Sequence, residues 1–273
     1  MKVKAAAALW TALLFFAQGA RAAAPASDNG SFYQNPWGPS NPQDRASSGF
    51  APWVFDVFNT ATNVFFIDTV KRAWGIDVPP DLDKMVGYDA AWTSFTGDGQ
   101  LDPLQVFSTT VLFIPPGIRT TTEIATEAVD FFAQSPTVPS HYDNFGHQVL
   151  GIYAGQVSPG GATAFTLLVH TGDAPSDEKP SVIKTLSFPF TGTASQPQKV
   201  KIIYTQLAQG HWTLRLESPN IKTVVLTSHE YGATWNTTEG VDAVRYFTSQ
   251  GGTSPGGPLE WKNRSVYSSL QQP

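Results

Sequence analysis

Residues 201–217, KIIYTQLAQGHWTLRLE, constrain the fold more than any other stretch. Trp212, Leu214 and Leu216 alternate with Thr213, Arg215 and Glu217, and Val200, Ile202 and Tyr204 share one side of the preceding run. A side-chain period of two belongs to the β-strand, and two such runs broken by Gly210 read as a hairpin. The same pattern recurs along the chain. It predicts two strands within Ala51–Val70, one in Met85–Thr96, and two β-arms between Asp102 and Gly155. Further strands follow in Ala164–Thr171, Ile183–Phe190, Lys199–Gln206, Lys222–Ser228, Val244–Ser249 and Leu259–Ser268, about a dozen in all. A helical turn is expected only near Lys71–Gly75, ended by Pro79-Pro80. Parallel sheets need helical crossovers, for which there is no room. No repeat of fixed period points to a propeller or β-helix. What remains is a single all-β domain, an antiparallel jelly-roll β-sandwich over residues 50–273. An irregular arm at 23–49, rich in Pro, Ser, Asn and Gly, precedes it, with Tyr33 and Trp37 to pin it down.

The first 22 residues read as a signal peptide. Lys2 and Lys4 precede the apolar Ala5–Ala17, and Ala20-Arg21-Ala22 is a small-x-small cleavage site. The apolar run falls short of the ~20 residues of a membrane span, and the polar C-terminus carries no lipid-anchor signal. Sequons at Asn29, Asn236 and Asn263 agree with a secreted, extracellular protein. Cysteine is absent, which excludes thiol catalysis and thiolate metal sites. About 250 mature residues bury a sufficient core without disulfides. The net charge is −5, with no basic stripe for nucleic acid and no basic amphipathic helix for membranes. Uncharged polar groups interleaved with aromatics suit a polysaccharide or oligosaccharide partner, and a monomer is expected.

The chemistry concentrates in the two arms. Arg119, Thr121, Glu123, Ala125 and Glu127 alternate onto one face of the first. In the second, His147, Val149, Gly151 and Tyr153 share a face, and Gln148, Leu150 and Ile152 take the opposite one. If the arms are neighbours, Arg, Glu, His and Tyr converge. A glycosidase needs two carboxyl groups about 5.5 Å or 6.5–9.5 Å apart. Glu123 and Glu127, at i and i+4 on a strand, stand about 13 Å apart, so one of them needs a partner from a neighbouring strand. A lyase needs a cation for a uronate carboxylate, which suits Arg119, and a proton acceptor, which suits His147 or Tyr153. Gln148, Glu127 and His170 are candidate substrate contacts. Glu230, Tyr231 and Glu260 offer further polar groups, and Trp235 and Trp261 further rings. No Gly-x-Ser-x-Gly elbow is present. His141, Asp143 and His147 could ligate zinc and Thr96–Asp102 calcium. Ordinary loop and turn polarity is the favoured reading of both, so no metal or cofactor is assigned.

The order of segments resembles that of the fungal β-jelly-roll polysaccharide enzymes, the glucuronan lyases and broad-specificity β-glucanases. The matching pieces are IRTTTEIATE, GHQVLGIYAG, AFTLLVHTG, KVKIIYTQLAQGHWTLRLE and LEWKNRSVYSS, most of residues 103–269. The family's Arg-Arg-acidic cluster is loosened here to Arg119-Thr-Thr-Thr-Glu123, and an acidic residue of its His-Gln strand is replaced near Tyr153. The resemblance implies a concanavalin-like sandwich and a carbohydrate-active protein. Arg119, Glu123, His147 and Tyr153 are its catalytic candidates, as a polysaccharide lyase or glycoside hydrolase. A non-catalytic glycan-binding protein and a structural or host-interaction protein are the alternatives on the same fold.

Overall fold

A computed structural model describes residues 25–43, 45–58, 65–78, 86–95, 100–116, 126–133, 148–158, 160–170, 181–208, 211–231, 240–251 and 257–271. In chain order its strands are β1 (Ala26–Asn29), β2 (Val54–Phe58), β3 (Phe65–Asp68), β4 (Ala73–Val78), β5 (Val86–Ser94), β6 (Gln105–Phe113), β7 (Thr126–Phe132) and β8 (Gln148–Gln156). They continue with β9 (Thr163–His170), β10 (Ser181–Thr185), β11 (Gln198–Gln206), β12 (Trp212–Ser218), β13 (Ile221–Thr227), β14 (Ala243–Gly251) and β15 (Gly257–Ser268). One sheet has eight strands in the order β13-β12-β11-β6-β15-β4-β3, with β1 laid on β15. The other has seven, in the order β10-β9-β8-β7-β14-β5-β2. Every pairing is antiparallel. The two-sheet jelly roll expected from the alternation is therefore the observed architecture.

The inward faces of the two sheets supply one core. Trp212, Leu214 and Leu216 are fully buried, while Arg215 is exposed and Thr213 and Glu217 are half-buried, as period two requires. Aromatic rings dominate the interior, which contains Trp53, Trp74, Phe107, Phe131, Tyr204, Tyr246 and Trp261. Trp261 stacks on Tyr246 at 4.2 Å with the planes 4° apart. It is thus a core residue and not a sugar platform, because it shares the inward parity of Leu259. Each such ring removes 150–250 Å² of surface from water, so this cluster dominates the packing energy.

Two local expectations change. The helical turn near Lys71–Gly75 is instead a tight turn at 69–72 leading into β4, whose Trp74 and Ile76 point inward. Trp74 pairs with Ile67 on one side and Trp261 on the other, and this ladder outweighs any local helical preference. The first arm is not one unit. β6 belongs to the eight-stranded sheet and β7 to the seven-stranded one.

The N-terminal arm opens with a strand, β1, and is held by a buried ion cluster. Asp28 accepts from Arg264 Nη2 at 2.8 Å and from the Tyr33 hydroxyl at 2.6 Å. The Arg264 guanidinium lies 3.9 Å from the Trp53 ring centre. Burial and the Asp28 contact push the Tyr33 phenol well above its ordinary range. Trp37 packs edge-on against Trp53, Phe55, Phe65 and Trp261.

Candidate functional site

The outward face of the seven-stranded sheet carries a second, smaller cluster. In β7, Val129 and Phe131 enter the core, while Ala128 and Phe132 join Ala243, Phe247 and Tyr153 on the other side. Asp130 and Arg245 lie among them, directly opposite one another on β7 and β14. Both are almost fully buried. Arg245 donates from Nε to Asp130 Oδ2 at 2.8 Å, and its Nη2 lies 2.6 Å from the same oxygen. The guanidinium also sits 5.1 Å from the Phe132 ring and 4.9 Å from the Phe247 ring. Neither charge is tolerable at this depth alone, and each offsets the other's lost hydration.

Gln148 and Tyr153 complete the group. Gln148 Nε2 donates to Asp130 Oδ1 at 2.8 Å and to the Tyr153 hydroxyl at 2.9 Å. Strict alternation predicts Gln148 on the side of Leu150 and Ile152, facing the core. The structure corrects this. Phe131 pairs with Leu150 but Phe132 pairs with Gln148, so Val149 is an extra residue in a β-bulge. The bulge turns Gln148 onto the face of Tyr153 and lets Val149 enter the core. Gly151, opposite Asp130, makes room for the group. A Cβ there would collide with Asp130 Oδ1, Gln148 Nε2 and the Tyr153 ring. Burial and the neighbouring Asp130 carboxylate push the Tyr153 phenol far up, so it stays protonated, with Arg245 opposing the shift. The Oε1 atom of Gln148 is buried and, among the described residues, unpartnered.

Glu127 does not join this face. Expected beside Arg119 and Glu123, it shares instead the inward parity of Val129 and Phe131 and is fully buried between the sheets. Its Oε2 accepts the Ile114 N–H at 3.0 Å, and its Oε1 has no partner among the described residues. Burial holds its carboxyl well above the ordinary range, the Ile114 contact only partly opposing this. His170 ends β9 opposite Ser181, with its side chain outside the described residues. Arg119, Glu123 and His147 also lie outside them, as do Trp235 and the His141–His147 segment. Glu230 is exposed, Tyr231 stacks on Trp212, and Glu260 bonds Lys71 Nζ at 2.7 Å. Among the described residues, no cluster of three or more His, Cys, Asp or Glu could hold a metal ion. Nor is any helix there long and apolar enough to cross a membrane.

Asp130 and Arg245 escape the alternation reading, but they left a signal. Each is a charge set inside a run of apolar residues, AVDFF and AVRYF. Opposite charges in two such strands can be buried only as partners.

No protein-family model and no curated protein matches the chain by sequence. Solved structures do match it in three dimensions. The alginate lyase from Klebsiella pneumoniae aligns with a TM-score of 0.52 at 8% identity, over 78% of this chain and 87% of that one. A mutant of alginate lyase Aly36B, in complex with an alginate trisaccharide, aligns with a TM-score of 0.51 at 10% identity, over 91% and 99%. The endo-1,3-beta-glucanase from Streptomyces sioyaensis gives 0.45 at 12% identity, over 82% and 98%. The chain is a concanavalin-like jelly roll. At these identities the likeness is one of fold, and it agrees with the resemblance to jelly-roll polysaccharide enzymes carried by the segment order.

Proposed function

We propose that the protein is a secreted polysaccharide-processing enzyme that works on the outward face of the seven-stranded sheet, as a lyase acting on a uronate-containing glycan. The observation that carries this reading is the buried Asp130–Arg245 pair linked through Gln148 to the Tyr153 hydroxyl. An elimination needs a group that moves a proton at the sugar ring and groups that fix the uronate carboxyl. Tyr153 is the proton-handling candidate. Its hydroxyl is held by an amide whose other bond is to a fixed carboxylate, so its position is set before substrate arrives. The Oε1 of Gln148, unpartnered among the described residues, is an acceptor for a sugar hydroxyl. His147 immediately precedes Gln148 in the chain, and Arg119 and Glu123 precede β7. These three are proposed to bring the base and the uronate-binding charge. Hydrolysis fits less well. Asp130, the carboxylate at the centre of this face, is already committed on both oxygens to Arg245 and Gln148.

The test is incubation of the secreted protein with alginate, glucuronan, pectate, β-1,3-glucan and mixed-linkage glucan. Ultraviolet absorbance reports the unsaturated product of elimination, and reducing ends without absorbance report hydrolysis. Elimination on a uronate polymer, lost in Tyr153→Phe, is the expected result. Tight binding with no turnover on any polymer would replace the reading by a lectin-like one.

A further inference from the structure

We propose that Asn263 carries an N-linked glycan and that Asn29 does not, because the fold places the two sequons at one spot where only one glycan fits. The inference rests on the secretory reading. Asn29 and Asn263 are far apart in sequence, yet they are direct partners in the antiparallel β1–β15 register. Directly opposed residues in such a pair point to the same side with Cβ atoms about 4.5–5.5 Å apart. Two amide-linked sugar rings at that spacing would compete for the same volume.

The neighbourhoods decide which amide is used. Asn29 is half-buried, and its Oδ1 accepts the Ser31 N–H at 2.8 Å, starting the short helical turn that follows. The next residue is pressed against the chain. A Cβ on Gly30 would come within 2.8 Å of Ala73 Cα and of the Arg72 carbonyl oxygen. Asn263 sits in open solvent. It lies where the β15–β6 register slips between Trp261 and Arg264, and its carbonyl accepts the Thr109 hydroxyl at 2.7 Å. The backbone is thus fixed while the carboxamide is exposed. Ala26 and Asp28 face the interior and Arg264 binds Asp28 there. Asn29 and Asn263 therefore project from the outer face of the eight-stranded sheet, away from Asp130 and Tyr153. A glycan at Asn263 covers the back of the sandwich and leaves the candidate site clear.

The full chain is expressed in eukaryotic secretory cells in two forms, one with its own leader and one with a heterologous signal sequence in its place. Glycopeptide mass spectrometry after enzymatic deglycosylation with isotope labelling reads occupancy at each sequon. The expected result is Asn263 occupied in most secreted molecules and Asn29 unmodified in those same molecules. Ser265→Ala removes that glycan without touching Asn263, and Asn29→Gln leaves the glycan pattern unchanged. Secreted protein with both sites occupied on one molecule, with Asn29 preferred, or with Asn263 bare would overturn the proposal. If the own-leader form stays inside the cell, the secretory reading fails and takes the natural modification with it. The heterologous form still reports which asparagine the fold permits.

Discussion

Three side chains define what a single substitution can reveal. Glu127 is neutral inside the sandwich, because burial raises its carboxyl well above the ordinary glutamate value. The unfolded chain releases this proton near pH 4.5, and the folded chain holds it. Stability is therefore undiminished below that value and falls as pH rises toward the elevated folded value, by about 1.4 kcal/mol per pH unit within the window. Glu127→Gln should match the wild type at about pH 4 and exceed it in urea unfolding at pH 8. A wild-type curve as flat as the variant's would remove the argument. Asp130→Asn should cost about 3–5 kcal/mol, since it leaves the Arg245 charge buried without its counterpart. Tyr153→Phe loses one hydrogen bond, about 1 kcal/mol, yet should lower turnover by about 10²–10⁴. Measuring both rate and unfolding midpoint separates the two roles. Equal small losses in rate and stability would make Tyr153 a packing residue.

At the scale of elements, most strands were legible and the faces were legible wherever the period was unbroken. β12 shows why, since Trp212, Leu214 and Leu216 bury three large groups and fix its phase. β8 shows the limit. Val149 is as apolar as its neighbours, so nothing in local composition marks it as the extra residue, and only the pairing with β7 does so. Glu127 misled for a similar reason. In sequence it continues the polar alternation of Arg119 and Glu123, and an acid inside a core is a rare outcome. Half of the central network, Gln148 and Tyr153, was named from the sequence. Asp130 and Arg245 were not, because a charge in an apolar run has no partner until two distant strands are set side by side. The arm makes its own prediction. Asp28→Ala removes the buried carboxylate that Arg264 and Tyr33 bind and loosens β1, so limited proteolysis should cut the arm well before the sandwich, and stability should fall by about 3–5 kcal/mol. Wild-type resistance in that variant would mean that Trp37 and Tyr33 hold the arm by themselves.

For the whole molecule, the two sheets face different tasks. The inner faces share one aromatic core, the outward face of one sheet holds the candidate site, and the outer face of the other is where Asn29 and Asn263 emerge. Without cysteine no disulfide holds the assembly, so its unfolding midpoint should be the same with and without reductant. The ion pairs divide in a way that bears on habitat. Asp28–Arg264 lies between the sheets and Asp130–Arg245 on the site face, both out of water. Lys71–Asp68 and Arg215–Glu217 are partly exposed at the surface. Mobile ions screen exposed charges over about 10 Å at 0.1 M but reach buried ones far less. Raising salt from about 0.01 to 1 M should erase the surface pairs and leave the two buried ones in place. A protein built this way keeps its arm and the geometry of its candidate site whether the fluid around it is fresh or briny.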